Sequence, residues 1–461
     1  MKKFFYILAL GLSVSLASCA PSEVDDLFDE NPAVRIDNAV KNYTELLKSN
    51  GGRWLLKYFP NGDQEGYNFV MHFKNGSVEI SSKNAYFDFT ADESLWDVIS
   101  DFGPVLTFNT YNEVFHPFSD PEPDGTGLGG DYEFIIMSAD ENTINLRGKK
   151  TGIAAELVRI SDATSDLDIF NQIDAQRAIS FSNLVDTLYL TTSTGYQFGA
   201  IGHNGMVWTF FPDEGNHASN LIDYPEHMNS MFTLNGLRFM GPLDFISEYD
   251  PEAFIPQNFT LQEDGTLLAE DGVTRISAGA LSKVFCSQRV SFNIDKDNMG
   301  GDFKTLYDNF LSGAKAKLRR TISSMAFTYF NFYESKPFNH FGLHFKAANL
   351  NCFIFLDYTV IDGNTLSMSF NPNATMPYND NGRTYYGGDW IDSNGAQQHT
   401  DGVQEVRDFI SMLSSRQFSF KADNMLCPTK LTIYDKANPE NYFVLKMVNN
   451  PNYIDESTIE Y

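Results

Sequence analysis

Only four cysteines occur in 461 residues, and no two of them are spaced C-x-x-C. A zinc knuckle or a thioredoxin-like redox site needs that spacing, so both are disfavoured. Histidine is scarce as well, eight in all. None falls in an H-E-x-x-H pattern, which removes the zinc peptidases of that kind. Neither G-x-S-x-G nor a nucleotide P-loop is present. Basic residues are outnumbered, 33 Lys and Arg against 60 Asp and Glu, for a net charge of −27. So acidic a body repels nucleic acid and anionic headgroups, and no nucleic-acid partner is expected. After the leader, no apolar run approaches the length needed to cross a membrane.

What is abundant is aromatic. Forty Phe and twenty-two Tyr suit pleated, half-buried surfaces and therefore strands. The apolar share of 42% is ample for packed cores, and 461 residues are more than one core usually holds. Two or three domains are expected.

The chain opens with Lys2 and Lys3, an apolar stretch from Phe4 to Leu16, then Ala17, Ser18 and Cys19. A positive start, a short apolar run and small residues form a secretory signal, too short to span a bilayer. Leu-Ala-Ser-Cys resembles the lipobox of bacterial lipoproteins. That resemblance implies cleavage before Cys19 and acyl chains on its thiol and new amino terminus. Several buried chains hold a soluble body at a membrane where one chain would be marginal. Asp25, Asp26, Asp29 and Glu30 follow at once. As a composition they read as a polar tether. They also resemble the surface-export signal of Bacteroidetes lipoproteins, which implies the outer face of the outer membrane.

Beyond the tether, Asn31-Pro32 starts a helix whose apolar positions are Ile36, Ala39, Val40, Tyr43 and Leu47, stopped by Gly51-Gly52. Short strands separated by turns then run to Ile160, with Asn75-Gly76 marking a hairpin. Residues 161–176 are polar and Asp-rich and read as a linker. Strands resume near Thr187, with further hairpins at Asn235-Gly236 and Asp264-Gly265. A clean helix follows on Phe303, Leu306, Tyr307, Phe310, Leu311, Ala314 and Leu318, with Asp302 as its expected cap. A second carries Val403, Val406, Phe409, Ile410 and Leu413, capped at Asp401. The expected fold is mainly β with a few helices: two or more antiparallel barrel- or sandwich-like domains, each flanked by a helix. The expected division is 1–18 signal peptide, 19–30 lipidated acidic tether, 31–160 N-terminal β domain, and 161–461 C-terminal β-rich region with a candidate break near 285–300. Helix-then-strands recurs after residue 300, which hints at an internal repeat.

Several stretches together resemble a Bacteroidetes lipoprotein family known only as domain of unknown function 4302. They are Asn31 to Trp54, Gly103 to Asn112, His116-Pro117-Phe118-Ser119-Asp120-Pro121, Gly127 to Phe134 and Gly148-Lys149-Lys150. The resemblance is good over about the first 160 residues. It implies an accessory lipoprotein beside a Sus-type (starch-utilisation-like) outer-membrane uptake complex. It lends no catalytic residues.

Four groups of residues invite a site. Gly125, Gly127 and Gly130 spell G-x-G-x-x-G, but prolines precede them and a strand follows, so the dinucleotide reading fails. Asp120, Glu122, Asp124 and Asp131 surround the same loop. Calcium is the one cofactor they suggest, though solvated loop acids account for them more simply. Asp295, Asp297 and Gly300 imitate an EF-hand start but lack its later ligands. His340 and His344, four apart on a strand, would stand about 13 Å apart, too far to share a metal. The most suggestive stretch is Tyr385-Tyr386-Gly387-Gly388-Asp389-Trp390: aromatics on a glycine-rich loop beside an acid can stack on a sugar or peptide. The competing reading is that Tyr385 and Trp390 pin a long loop to the core. Trp54, Trp96 and Trp208 are expected in cores.

These observations favour a non-enzymatic, lipid-anchored surface protein accessory to nutrient uptake, binding oligopeptide, oligosaccharide or the transporter itself. The alternative is a secreted, lipid-anchored glycan or peptide hydrolase with carboxylates dispersed across strands.

Overall fold

The computed structural model describes residues 31–451, apart from 102, 121–126, 180–183, 186–187, 204–205, 213–225, 332–338, 371–374, 381–382, 387–389, 393–396 and 400–403. Residues 1–30, where a signal peptide and an acidic tether are expected, lie outside the described residues, Cys19 included.

Helix α1 (Pro32–Lys48) begins as its sequence demands: the Asn31 side chain accepts the Ala33 N–H at 3.0 Å, and proline occupies the first turn. It ends at Ser49, and the chain reverses through Gly51 and Gly52. Gly52 holds φ +68°, and a Cβ there would collide with the Phe73 carbonyl oxygen. Only glycine allows so close a reversal.

The first barrel follows: β1 (Arg53–Tyr58), β2 (Tyr67–Phe73), β3 (Ser77–Ser82), β4 (Thr90–Ser100), β5 (Pro104–Phe108), β6 (Glu133–Ala139), β7 (Thr143–Gly148) and β8 (Ala154–Arg159). Each strand pairs antiparallel with the next, and β8 closes on β1. One face of the pleat fills the barrel with Trp54, Leu56, Tyr58, Phe69, Met71 and Phe73. The other face of β1 and β2 is buried too. Leu55 and Val70 pack on Ile169, Phe170 and Ile173 of helix α2 (Asp166–Ile179) and on the second barrel. Burial on both faces explains why β1 and β2 read as nearly continuous apolar runs rather than alternating ones. It also corrects the reading of 161–176 as a linker: a short apolar face among the acids docks a helix there.

The second barrel repeats the order: β9 (Leu188–Thr191), β10 (Gln197–His203), β11 (Val207–Pro212), β12 (Glu226–Phe232), β13 (Gly236–Phe239), β14 (Asn258–Leu261), β15 (Leu267–Ala269) and β16 (Arg275–Ser277), closing β16 on β9. Gly236 holds φ +149° at the Asn-Gly hairpin, where any Cβ would meet the Phe259 carbonyl oxygen. A one-turn helix, α3 (Ile246–Tyr249), plugs one end with Ile246, beside Leu243 and Phe245.

After the short helix α4 (Leu281–Phe285) the third ring uses β17 (Val290–Gly300), β18 (Ser324–Asn331), β19 (Asn339–Ala347), β20 (Leu350–Asp362) and β21 (Thr365–Phe370). It continues, after an excursion, with β26 (Gln417–Ala422), β27 (Lys430–Asp435) and β28 (Asn438–Asn449). Pairing of β19 with β20 and of β28 with β17 closes it. Helix α5 (Gly301–Leu318) lies between the first two strands, and its Phe303, Tyr307, Phe310 and Ala314 are buried. The excursion holds a two-stranded sheet, β22 (Thr375–Asp380) with β23 (Arg383–Tyr386), then β24 (Trp390–Asp392) and β25 (Gln397–His399) added beside β20. Helix α6 (Gln404–Ser414) buries Phe409 and Leu413. The fold is mainly β, three closed antiparallel meanders each accompanied by helices. The expected Asp302 cap is corrected: Gly300 precedes the helix, and Asn441, 139 residues away in sequence, accepts the Asp302 N–H at 2.9 Å.

The barrels bind one another through backbone and charge. Asn68 donates to the Phe232 carbonyl at 2.7 Å, and Asn229 to that of Gly62 at 2.6 Å. Arg238 of the second barrel reaches Glu156 of the first at 3.6 Å, and Glu156 also holds Lys57 at 2.7 Å. Between second and third, Ala278 donates to the Met425 carbonyl and Met425 to that of Asp264, each at 2.6 Å. Leu426 inserts into the second barrel's core.

Candidate functional site

Side chains fill the interiors of the barrels, so a site must be sought on their rims. In the first barrel α1 covers the end near Trp54, whose indole N–H donates to the Leu47 carbonyl at 2.9 Å. The connection between β5 and β6 folds back to plug the other end. Its organiser is Asn112, fully buried, whose side-chain oxygen accepts the N–H groups of Val114 and Phe115 at 3.0 Å each. Satisfying those amides lets a loop enter an apolar interior. Phe115 then packs within 5.0–5.6 Å, ring centre to ring centre, of Tyr58, Phe69 and Phe108.

The outer side of the plug carries a stack of rings. His116 starts a short 3₁₀ turn, His116–Phe118, and its Nδ1 accepts the Asn112 N–H at 2.9 Å, so that nitrogen carries no proton. Tyr111 lies against the imidazole at 5.1 Å and 32°, and Tyr132 at 5.5 Å and 31°. The histidine is 8% exposed, yet Tyr111 is 58% and Tyr132 45% exposed. Burial holds the His116 pKa below the ordinary histidine value, so the ring that backs both tyrosines is neutral at neutral pH. The Tyr111 hydroxyl donates to an Asp120 carboxylate oxygen at 2.9 Å. Partial burial, and then that carboxylate, push the phenol's pKa up, so it keeps its proton.

Phe118, two residues on, supports a second rim. Tyr67 packs on it at 4.7 Å and Tyr86 at 5.7 Å. Tyr86 is exposed. Close to Tyr67, Glu65 lies 3.8 Å from Arg177 of α2, and burial raises its carboxyl pKa against the pull of Arg177 and Tyr67. Elsewhere the junction of α2 with the first barrel seats Asp166 on Arg53 (2.5 Å), His72 (3.1 Å) and Ser81 (2.7 Å). Burial alone would raise this carboxyl. The three donors outweigh it and hold the pKa well below the usual carboxylate range. Ser81 bonds the acid rather than the histidine, so this is a structural latch and not a nucleophile with its base.

The stretch singled out in the sequence divides. Tyr385 and Tyr386 lie in β23, opposite Met376 and Thr375, whereas Trp390 lies in β24 opposite Cys352. Their backbones belong to different sheets, and Asp389 lies outside the described residues. Of the loop acids, Glu122 and Asp124 also lie outside. Asp120 serves Tyr111, and Asp131 is buried as the acceptor for the backbone N–H groups of Lys150 and Thr151 and the Thr151 hydroxyl. Among the described residues no group of three His, Cys, Asp or Glu could hold a metal ion. Asp295, of the false EF-hand, bonds Asn298 at 2.9 Å and Lys446 at 3.0 Å. His344 is half-buried, 3.0 Å from Asn351 and stacked on Phe353 at 4.5 Å. Among the described residues, no disulfide joins any two of Cys286, Cys352 and Cys427. Trp54, Trp96 and Trp208 are in cores, as expected. Sequence reasoning did not single out Tyr111, His116 and Tyr132 as a site. Its only cue was a histidine in a proline-containing loop between two tyrosines, weak in a chain with twenty-two tyrosines.

No curated protein matches this chain. Among solved structures, it aligns with a DNA polymerase III β sliding clamp (DnaN) from Bartonella birtlesii LL-WM9 at 10% identity and a TM-score of 0.12, over 88% of this chain and 97% of that one. A DNA polymerase III β chain from Streptococcus pneumoniae TIGR4 aligns at 9% identity and 0.12, over 90% and 98%. Scores so low carry no structural argument. A family model does match, over residues 24–255, a span holding the first barrel with its ring stack and most of the second. The chain belongs to the family described as domain of unknown function DUF4302.

Proposed function

We propose that the protein is a non-enzymatic lipoprotein held by acyl chains on Cys19 at the outer face of a bacterial outer membrane, as in Bacteroidetes. There it is accessory to a Sus-type uptake complex, capturing oligosaccharide or oligopeptide or packing against the transporter. The observation that carries this reading is the apolar run ending in Leu16-Ala17-Ser18-Cys19 with acids directly after it. The geometry adds support. Interlocked barrels with filled interiors make a stiff body, and exposed aromatic rings on a fixed plug suit capture rather than internal storage. Affinity purification from detergent-solubilised outer membranes tests it. Co-recovery of a transporter subunit is expected, and recovery of the protein alone would overturn the accessory role.

A lipid-anchored hydrolase of glycans or peptides is the second reading. The Glu65 carboxyl beside Tyr67, its pKa raised by burial, is what favours it, since a raised pKa moves a carboxyl towards general-acid work. Incubation with peptide and glycan panels decides: released products would establish it, and inertness would retire it.

A further inference from the structure

We propose that Tyr111 and Tyr132, pinned on His116, form a stacking subsite for the pyranose rings of a neutral oligosaccharide, with the Asp120 carboxylate as an acceptor for sugar hydroxyls. This rests on the capture reading above and names the ligand class and the place.

Exposure is the first reason. Aromatic side chains this large normally bury most of their area, yet both rings stand about half in water. Nothing in their local packing forces that, because the plug's buried work is done by Val114, Phe115 and Phe118.

Rigidity is the second. Each tyrosine lies against a histidine that is itself fixed by the Asn112 amide, and Asn112 is locked by four further hydrogen bonds to Asp92, Ser94, Val114 and Phe115. Rings held before the ligand arrives lose little conformational freedom on binding.

Polarity is the third. Tyr111 donates to one Asp120 oxygen at 2.9 Å, which orients the carboxylate and leaves its remaining lone pairs to accept hydroxyl donors. A sugar ring presents C–H groups on its face and hydroxyls at its edge, and this site offers a partner for each.

Charge decides among ligands. Lys149, a cation near this rim, is already paired with Asp101 at 2.6 Å and Glu133 at 2.9 Å, and the chain as a whole is strongly acidic. Anionic glycans are therefore repelled. A lysine-rich peptide is the competing class, since an ammonium can also sit over a tyrosine face. The Asp120 carboxylate is already engaged by a neutral donor, and each tyrosine is backed by the flat imidazole rather than walling a cage. Both features favour a flat, uncharged ring.

Native electrophoresis of the full mature chain in detergent, through gels carrying soluble starch, mixed-linkage β-glucan, xylan or galactomannan, tests the assignment. At least one polysaccharide should retard the protein, and Tyr111→Ala and Tyr132→Ala should each weaken that binding about five- to tenfold. Tyr111→Phe, which keeps the stacking face, should weaken it less. Tyr249→Ala, on the second barrel, should leave it unchanged. Because both rings are half exposed, the variants should keep the wild-type near-ultraviolet circular dichroism. Retardation that both alanine variants retain would overturn the subsite while leaving glycan capture standing. No retardation by any of the four, or binding of an oligolysine peptide in their place that is lost in the same variants, would overturn the ligand class. Co-purification with a transporter subunit is read separately, so failure of the subsite is distinguishable from failure of the accessory role.

Discussion

In the first barrel the chain passes through eight strands with one long interruption, the β5–β6 connection, which folds back as a loop and plugs the end. In the third the same ring is interrupted by whole helices, α5 after its first strand and α6 before its sixth, and α4 drives Phe285 into its centre. A helix satisfies its own amides, so it can bring Phe285, Phe303 and Phe310 fully inside. A loop cannot. It needs Asn112 to satisfy its amides, and its flanks emerge at the surface carrying Tyr111 and Tyr132. The contrast shows where exposed aromatics belong in this architecture: on a loop plug, where the chain must turn back out.

Truncating the plugs should have the largest effect. Phe115→Ala and Phe285→Ala should each cost about 3–5 kcal/mol in denaturant unfolding, because both leave cavities among packed rings. A cost below about 1 kcal/mol for Phe115 alone would show that the two plugs are not equivalent. Next come the charged contacts. Arg53→Ala leaves the half-buried Asp166 without the guanidinium of a buried arginine and should cost about 3 kcal/mol. Arg416→Ala in the third barrel should cost about 1–2 kcal/mol, since its bond to Asp435 is made by a side chain 23% exposed to water. Equal costs would mean that the Arg53 contact is as wet as the Arg416 contact.

Titration probes both barrels at once. Burial lowers the pKa of His116 in the first barrel and of His344 in the third. In each case the unfolded chain takes up the proton more readily than the folded one. Their contribution to stability is therefore complete above about pH 6.5 and declines as the pH falls below it. The loss between about pH 7 and pH 5 should shrink in a His116→Gln, His344→Gln double variant, and an unchanged slope would show that these rings do not couple folding to protons. The smallest effect is expected on the solvent side of α5, where Lys304 and Asp308 pair at 2.6 Å in the open. Lys304→Ala should cost no more than about 0.5 kcal/mol.

Much of this fold was legible because its strands are short, aromatic and set between Asn-Gly or Asp-Gly turns, which fixes hairpins locally. The α5 stripe of Phe303, Tyr307, Phe310 and Ala314 was equally plain, since its spacing is helical. What escaped was decided at long range. Helix α2 looked like a linker because Ile169, Phe170 and Ile173 gain their meaning only from the outer face of β1 and β2. The cap of α5 comes from Asn441, far along the chain. The strand partners of the aromatic stretch were equally remote, since Tyr385 and Tyr386 pair with Met376 and Thr375 and Trp390 with Cys352. The stack on His116 was hidden for the same reason, because Tyr111 and Tyr132 meet the histidine from opposite ends of a folded connection.

Everything proposed for this body depends on where it is held. Proteinase K added to intact cells should degrade the wild-type protein, and Cys19→Ala should leave the chain unprocessed at that bond and released from the membrane fraction. Protection of the wild type until the cells are lysed, or a Cys19→Ala protein still processed and still fixed to the envelope, would contradict it.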